Sequence, residues 1–130
     1  MIPQAHVLVV DDQADLCEMI RLALEENGYA ASLASDGASM RHALAARATD
    51  LVIVDAVLPD EAGPELIAVA RRYGAKVILM SGHPEQIERL ADGDMPFLAK
   101  PFRIDELIAC IRETLGPADG EDASEPAGRG

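Results

Sequence analysis

The sequence predicts an α/β protein built on a doubly wound, five-stranded parallel sheet, and three observations carry that expectation. Short apolar runs recur along the chain, among them Val7-Leu8-Val9-Val10, Leu51-Val52-Ile53-Val54 and Val77-Ile78-Leu79-Met80. Stretches of helix length separate them. The runs are apolar throughout rather than alternating, as expected of strands covered on both faces. Strands alternating with helices in this way form a parallel sheet with helices packed on either side.

Taken in order, the first strand is Val7–Val10. The stretch Gln13 to Asn27 follows, with Leu16, Ile20, Ala23 and Leu24 spaced by threes and fours as on one face of a helix. Asn27-Gly28 supplies its stop, because glycine enters the left-handed region cheaply. Tyr29 to Ala34 reads as a weaker second strand. Asp36-Gly37 opens a second helix to about Arg47, with Met40, Ala43 and Leu44 inward. Strand three is Leu51–Val54. A loop with Leu58-Pro59 and Gly63 leads to a helix from Pro64 to Tyr73, proline being suited to a first helical turn. Gly74 ends that helix. Strand four is Val77–Met80, a short helix runs from Pro84 to about Leu90, and strand five is Phe97-Leu98-Ala99. The last helix, Ile104 to Leu115, repeats Ile104, Leu107, Ile108 and Ile111, and Gly116-Pro117 closes it. Residues 118–130 hold no large apolar side chain and are expected to form a disordered acidic tail, leaving one domain over 5–116.

The hydrophobic fraction of 49% is ample for a core, and with only 3% aromatics that core must be aliphatic. A net charge of -12 argues against a nucleic-acid partner, whose phosphates demand basic patches, and against an anionic membrane surface. No run approaches the ~20 apolar residues of a membrane span, and Met1 is not followed by the basic-then-apolar pattern of a signal peptide, so none is expected. Cys17 and Cys110 are expected to be free thiols in a reducing cytosol. His6, His42 and His83 lack metal-ligand spacing and are expected to be solvated or capping. A cytoplasmic protein is the expectation.

Each apolar run hands over to a polar residue. Asp11-Asp12 follow the first strand, Asp55 the third, Ser81-Gly82 the fourth and Lys100-Pro101 the fifth. In a parallel sheet all strand C-termini share one edge, where ligands bind. Three carboxylates, a hydroxyl and an ammonium would therefore meet in one crevice. The plain alternative for a lone aspartate at a strand end is a turn or a helix N-cap, and Asp11-Asp12 could cap the first helix. Adjacent carboxylates beside a third repel one another, which a divalent cation relieves.

Together these residues resemble the receiver domain of two-component response regulators, over about Ala5 to Leu115. The resemblance rests on Asp11-Asp12, Asp55, Leu58-Pro59 with Gly63, Ser81-Gly82 and Lys100-Pro101-Phe102 in that order. It implies a flavodoxin-like (βα)5 fold with strand order 2-1-3-4-5. It implies Asp55 as phosphoacceptor and Mg2+ as cofactor, held by Asp11, Asp12, Asp55 and the backbone carbonyl of Val57. Ser81 and Lys100 would bind the phosphoryl oxygens, and the Lys100-Pro101 bond would be cis. Phe97 matches the switch aromatic, filling space left when the Ser81 hydroxyl moves inward and so biasing the surface of the fourth helix, fifth strand and fifth helix. The plain alternative is a core phenylalanine on an edge strand. Serine stands where threonine is commoner, and phenylalanine lacks the hydroxyl of the commoner tyrosine. The short Ser81–Lys100 segment puts the usual dimerisation surface in doubt and is similar to receivers of hybrid kinases or their stand-alone relatives.

The implied partners are a sensor or hybrid histidine kinase, or a histidine phosphotransfer protein, and a downstream protein reached by contact. The chain would be a monomer or a weak phosphorylation-dependent dimer, catalysing its own phosphorylation and dephosphorylation. Met1 shortly before the first strand favours a stand-alone protein over an excised piece of a hybrid kinase. Two rivals remain. An aspartyl phosphatase of the haloacid dehalogenase type wants a second aspartate two positions after the nucleophile, where Val57 stands. A non-phosphorylated pseudo-receiver is hard to sustain with every required residue type present. Dinucleotide and P-loop enzymes are excluded by the absence of their glycine motifs.

Overall fold

The computed structural model describes residues 4–60, 63–83, 85 and 95–116. Nine elements follow in order: β1 (His6–Val10), α1 (Ala14–Glu26), β2 (Ala30–Ala34), α2 (Gly37–Ala46), β3 (Leu51–Asp55), α3 (Gly63–Arg72), β4 (Lys76–Ser81), β5 (Phe97–Ala99) and the C-terminal helix α4 (Ile104–Leu115). The helix expected from Pro84 to Leu90 and the tail expected from Ala118 lie outside the described residues. The sheet runs β2-β1-β3-β4-β5, and every neighbouring pair is parallel. This is the doubly wound, flavodoxin-like order expected.

Strand side chains alternate, so each apolar run feeds two cores. Leu8, Val10, Val52, Val54, Val77 and Leu79 pack with Met40 and Leu44 of α2 and Leu66 and Ala70 of α3. Val7, Val9, Leu51, Ile53, Ile78 and Met80 pack on the other face with Ile20 and Leu24 of α1 and Leu107 and Ile111 of α4. Ile20 and Leu24 are fully buried, and each such side chain contributes about 1.5–3 kcal/mol. The edge strand β2 is only half-buried, in keeping with its weaker apolar pattern.

Two helices stop by the same device. Gly28 has φ +89 and Gly74 φ +82. Gly28 N–H donates to the Glu25 carbonyl and Tyr29 N–H to that of Leu24, while Gly74 N–H donates to Arg71 and Ala75 N–H to Ala70. These paired backward bonds satisfy carbonyls that the last turn leaves open, and a positive φ at the pivot favours glycine. At its other end α1 departs from expectation. The N-cap is Gln13, not an aspartate. The Asp11 carboxylate instead accepts the N–H of Gln13 at 2.9 Å.

His6 also departs from expectation, being buried rather than solvated. Its Nε2 lies 2.7 Å from Ser32 Oγ, and its Nδ1 lies 3.2 Å from both the Ala48 carbonyl and Thr49 Oγ1. A neutral ring satisfies these partners, donating from Nδ1 to Ala48 and accepting at Nε2 from Ser32. Burial holds its pKa below the ordinary value and the Arg47 charge adds to that, against the Ala48 carbonyl and the Asp50 carboxylate. The unfolded chain therefore binds the proton more tightly than the folded one. Stability from this group is present above the ordinary histidine pKa of about 6.5 and is lost as pH falls toward the depressed value. His6→Gln should accordingly lose less melting temperature than wild type between pH 7.5 and 5.5, about one unit either side of that pKa. Parallel curves would show that His6 carries no such linkage.

Candidate functional site

Strand register explains how distant residues converge. Val10 pairs with Val54 and Asp55 with Met80, so Asp11 and Asp55 lie level, one step beyond the end of the β1–β3 pairing. Ser81 pairs with Ala99, which puts Lys100 one residue further along the same rim. Asp11, Asp55 and Lys100 continue the series Val7-Val9, Leu51-Ile53 and Leu98, whose side chains face α1 and α4. Ser81 continues Val77-Leu79, whose side chains face α2 and α3. The pleat thus directs the charged residues to one side of the rim.

Lys100 Nζ lies 2.6 Å from Asp11 Oδ2 and 2.9 Å from Asp55 Oδ2. The Asp11 side chain is fully enclosed, while those of Lys100 and Asp55 are 19% and 13% exposed. Burial by itself would pull the Lys100 pKa down, but hydrogen bonds and attraction from the two carboxylates outweigh it and hold the ammonium above its ordinary range. The shorter of the two contacts is the one to Asp11. Lys100-Pro101 is cis, as the resemblance implied.

Asp12 completes a cluster in which one oxygen from each of Asp11, Asp12 and Asp55 lies within 4.8 Å of the others. Three carboxylates against one ammonium leave two negative charges, which one divalent cation balances. The donors are all hard oxygens and Asp12 is open to solvent, so the set suits Mg2+, which keeps several waters. A groove of about 330 Å³ between α1 and the end of β2, lined by Asp11, Asp12, Glu18 and Ser35, gives access from one side. Val57 follows at the loop, its N–H donating to Asp55 Oδ1 at 2.9 Å. Its side chain is 48% exposed.

The Ser81 hydroxyl is engaged by its own loop, accepting from His83 N–H at 2.9 Å, while the Ser81 carbonyl accepts from Lys100 N–H at 2.8 Å. Phe97 sits on the edge strand β5 with 52% of its surface exposed, so it is not a core residue. Cys17 lies directly behind the cluster and donates from Sγ to the Asp11 carbonyl at 3.3 Å. Burial, and then the Asp11 charge, push its thiol up to about 11, so it is an inert core thiol rather than a nucleophile. Both cysteines are free. Sequence reasoning passed over Asp60, whose carboxylate accepts from Gly37 N–H at 2.8 Å and Ala38 N–H at 3.2 Å. No spacing rule links position 60 to position 37; the single cue was a carboxylate soon after Leu58-Pro59.

The family described as the response regulator receiver domain matches residues 7–112. This chain belongs to that family and is a receiver domain of the two-component type. It is 32% identical over 125 residues to the response regulator MprA of Mycobacterium bovis, covering 92% of this chain and 54% of that protein. It is 31% identical over 117 residues to the transcriptional regulatory protein YkoG of Bacillus subtilis, covering 86% and 51%. The chain thus spans about half the length of these curated relatives. Among solved structures, the signal receiver domain of an HD domain-containing protein from Pseudomonas fluorescens Pf-5 matches with a TM-score of 0.78 at 30% identity, covering 87% of this chain and 95% of that one.

Proposed function

We propose that this chain accepts a phosphoryl group on Asp55 from the phosphohistidine of a sensor or hybrid histidine kinase, or of a histidine phosphotransfer protein. The observation that carries this reading is the ammonium of Lys100 held between Asp11 and Asp55 beside the open carboxylate of Asp12. An Asp55 oxygen attacks phosphorus, the phosphorus–nitrogen bond breaks with its electron pair passing to that nitrogen, and the donor leaves as neutral imidazole carrying the proton already on its other ring nitrogen. A carboxylate serves as nucleophile without prior deprotonation at neutral pH. Asp11, Asp12, Asp55 and the Val57 carbonyl would hold Mg2+, which when bound neutralises charge on the phosphoryl oxygens.

Lys100 exchanges its contact with Asp55 Oδ2 for a phosphoryl oxygen, keeping Asp11 as its anchor. Ser81 exchanges the His83 N–H for another of those oxygens. The exposed Phe97 ring then has space to turn inward, changing the surface formed by β5 and α4 that a downstream protein reads. The chain promotes its own phosphorylation and dephosphorylation and does not turn over a separate substrate. We place the receiver unit at 5–116 and the protein in the cytoplasm, as a monomer or a weak phosphorylation-dependent dimer. Among the described residues no helix is long and apolar enough to cross a membrane.

Incubation with acetyl phosphate and Mg2+ should add the mass of one phosphoryl group. The gain should need the divalent ion and disappear with hydroxylamine, which cleaves acyl phosphates. A gain that resists hydroxylamine, or none at all, would count against an aspartyl phosphate.

A further inference from the structure

We propose that Asp60 is a positioning residue for the divalent-ion site, acting through the loop that follows Asp55; this rests on reading the carboxylate cluster as a Mg2+ site. Asp60 is not one of the three clustered carboxylates. Its oxygens accept the first two N–H groups of α2, from Gly37 and Ala38. The third, from Ser39, is taken at 2.8 Å by Asp36, which forms a capping box with Ser39. The helix therefore has its own cap, and the Asp60 contact does a different job. It joins the loop after β3 to the start of α2 across more than twenty residues of sequence.

That junction closes a ring around the cluster. From Gly37 the chain runs back to Ala34, whose carbonyl accepts Asp11 N–H at 3.1 Å. From Asp60 it runs back to Val57, whose N–H holds Asp55 Oδ1, and to Ala56, whose N–H donates to the Met80 carbonyl at 2.8 Å. The β1–β3 pairing of Val10 with Val54 completes the circuit. Asp11, Asp55 and Val57 lie on this ring, and Asp12 follows Asp11 directly. Asp60 ties the far end of this loop, two residues beyond the buried Leu58 side chain, and without that tie Val57 gains freedom relative to Asp11 and Asp12. Ion sites are sensitive to such outer contacts, whose loss typically weakens metal affinity about 10–100-fold.

The chain has no tryptophan, so titration calorimetry with Mg2+ is the suitable readout, with melting temperature measured in chelator as a separate check on fold. Asp60→Ala should bind Mg2+ about tenfold more weakly than wild type, at the lower end of outer-contact effects. Asp60→Asn removes the charge but keeps one oxygen for the shorter Gly37 contact, giving up the longer one from Ala38, and should lose clearly less affinity than Asp60→Ala. Wild-type affinity in Asp60→Ala would overturn the positioning role while leaving the metal site intact. Equal weakening in both variants would overturn it too, since charge alone would then account for the effect. A wild-type chain that takes up no Mg2+ would sink the metal reading and the positioning role together.

Discussion

Asp55→Asn should fold as wild type does and fail to take up a phosphoryl group from acetyl phosphate and Mg2+. The amide matches the carboxylate in shape, and its oxygen can still accept the Val57 N–H that now holds Asp55 Oδ1. Its nitrogen, however, would face the Lys100 ammonium where Asp55 Oδ2 now accepts at 2.9 Å, so Lys100 should rest on Asp11 alone. An amide is no nucleophile at neutral pH, and removal of a nucleophile costs several orders of magnitude in rate. The substitution also relieves repulsion in the carboxylate cluster. Melting temperature in chelator should therefore hold or rise, and the increment produced by Mg2+ should shrink. Intact mass and paired melting curves check both parts. An undiminished mass gain in the variant would move the acceptor to another residue, and a collapsed fold would show that Asp55 is needed for structure first.

Lys100→Met should separate metal binding from phosphoryl transfer by moving them in opposite directions. The ammonium competes with a divalent ion for Asp11 and Asp55, so its removal should tighten Mg2+ binding. The same removal deletes the cation that would meet the incoming phosphoryl oxygens, and transfer should slow by about 10²-fold or more, the scale for one preorganised electrostatic donor. Without Mg2+ the variant leaves the enclosed Asp11 carboxylate without its cation. Leaving a buried charge uncompensated costs about 3–5 kcal/mol when enclosure is complete; here partial exposure of Lys100 and Asp55 lowers the expectation to about 2–3 kcal/mol. Weaker Mg2+ binding in Lys100→Met would refute the competition argument.

The strands and most helix faces were legible because burial leaves a direct mark on residue type. Leu8, Ile53 and Leu79 are fully buried, and no polar residue interrupts their runs. Ile20, Leu24, Leu107 and Ile111 were legible through their spacing. The convergence of the candidate residues on one rim was legible to the same degree, since Asp11, Asp55, Ser81 and Lys100 each follow the last apolar residue of a strand. What escaped were pairings that depend on register and pleat. Whether Lys100 reaches Asp11, Asp55 or both is settled by which strand-end residues share a face, and Asp11 proves to be the nearer. His6 was misjudged because a histidine opening a strand looks like a solvated end until Ser32 and Thr49 close over it.

Composition and order along the chain were enough to establish a parallel α/β scaffold with acidic, hydroxyl and ammonium groups at its strand ends, because hydrophobic periodicity and parallel topology are local and general rules. Contacts across the rim were not contained in that order. The Lys100 bridge and the Asp60 clamp on α2 both join segments far apart in sequence. Their partners are chosen by strand register and loop path, which emerge once the whole sheet has packed.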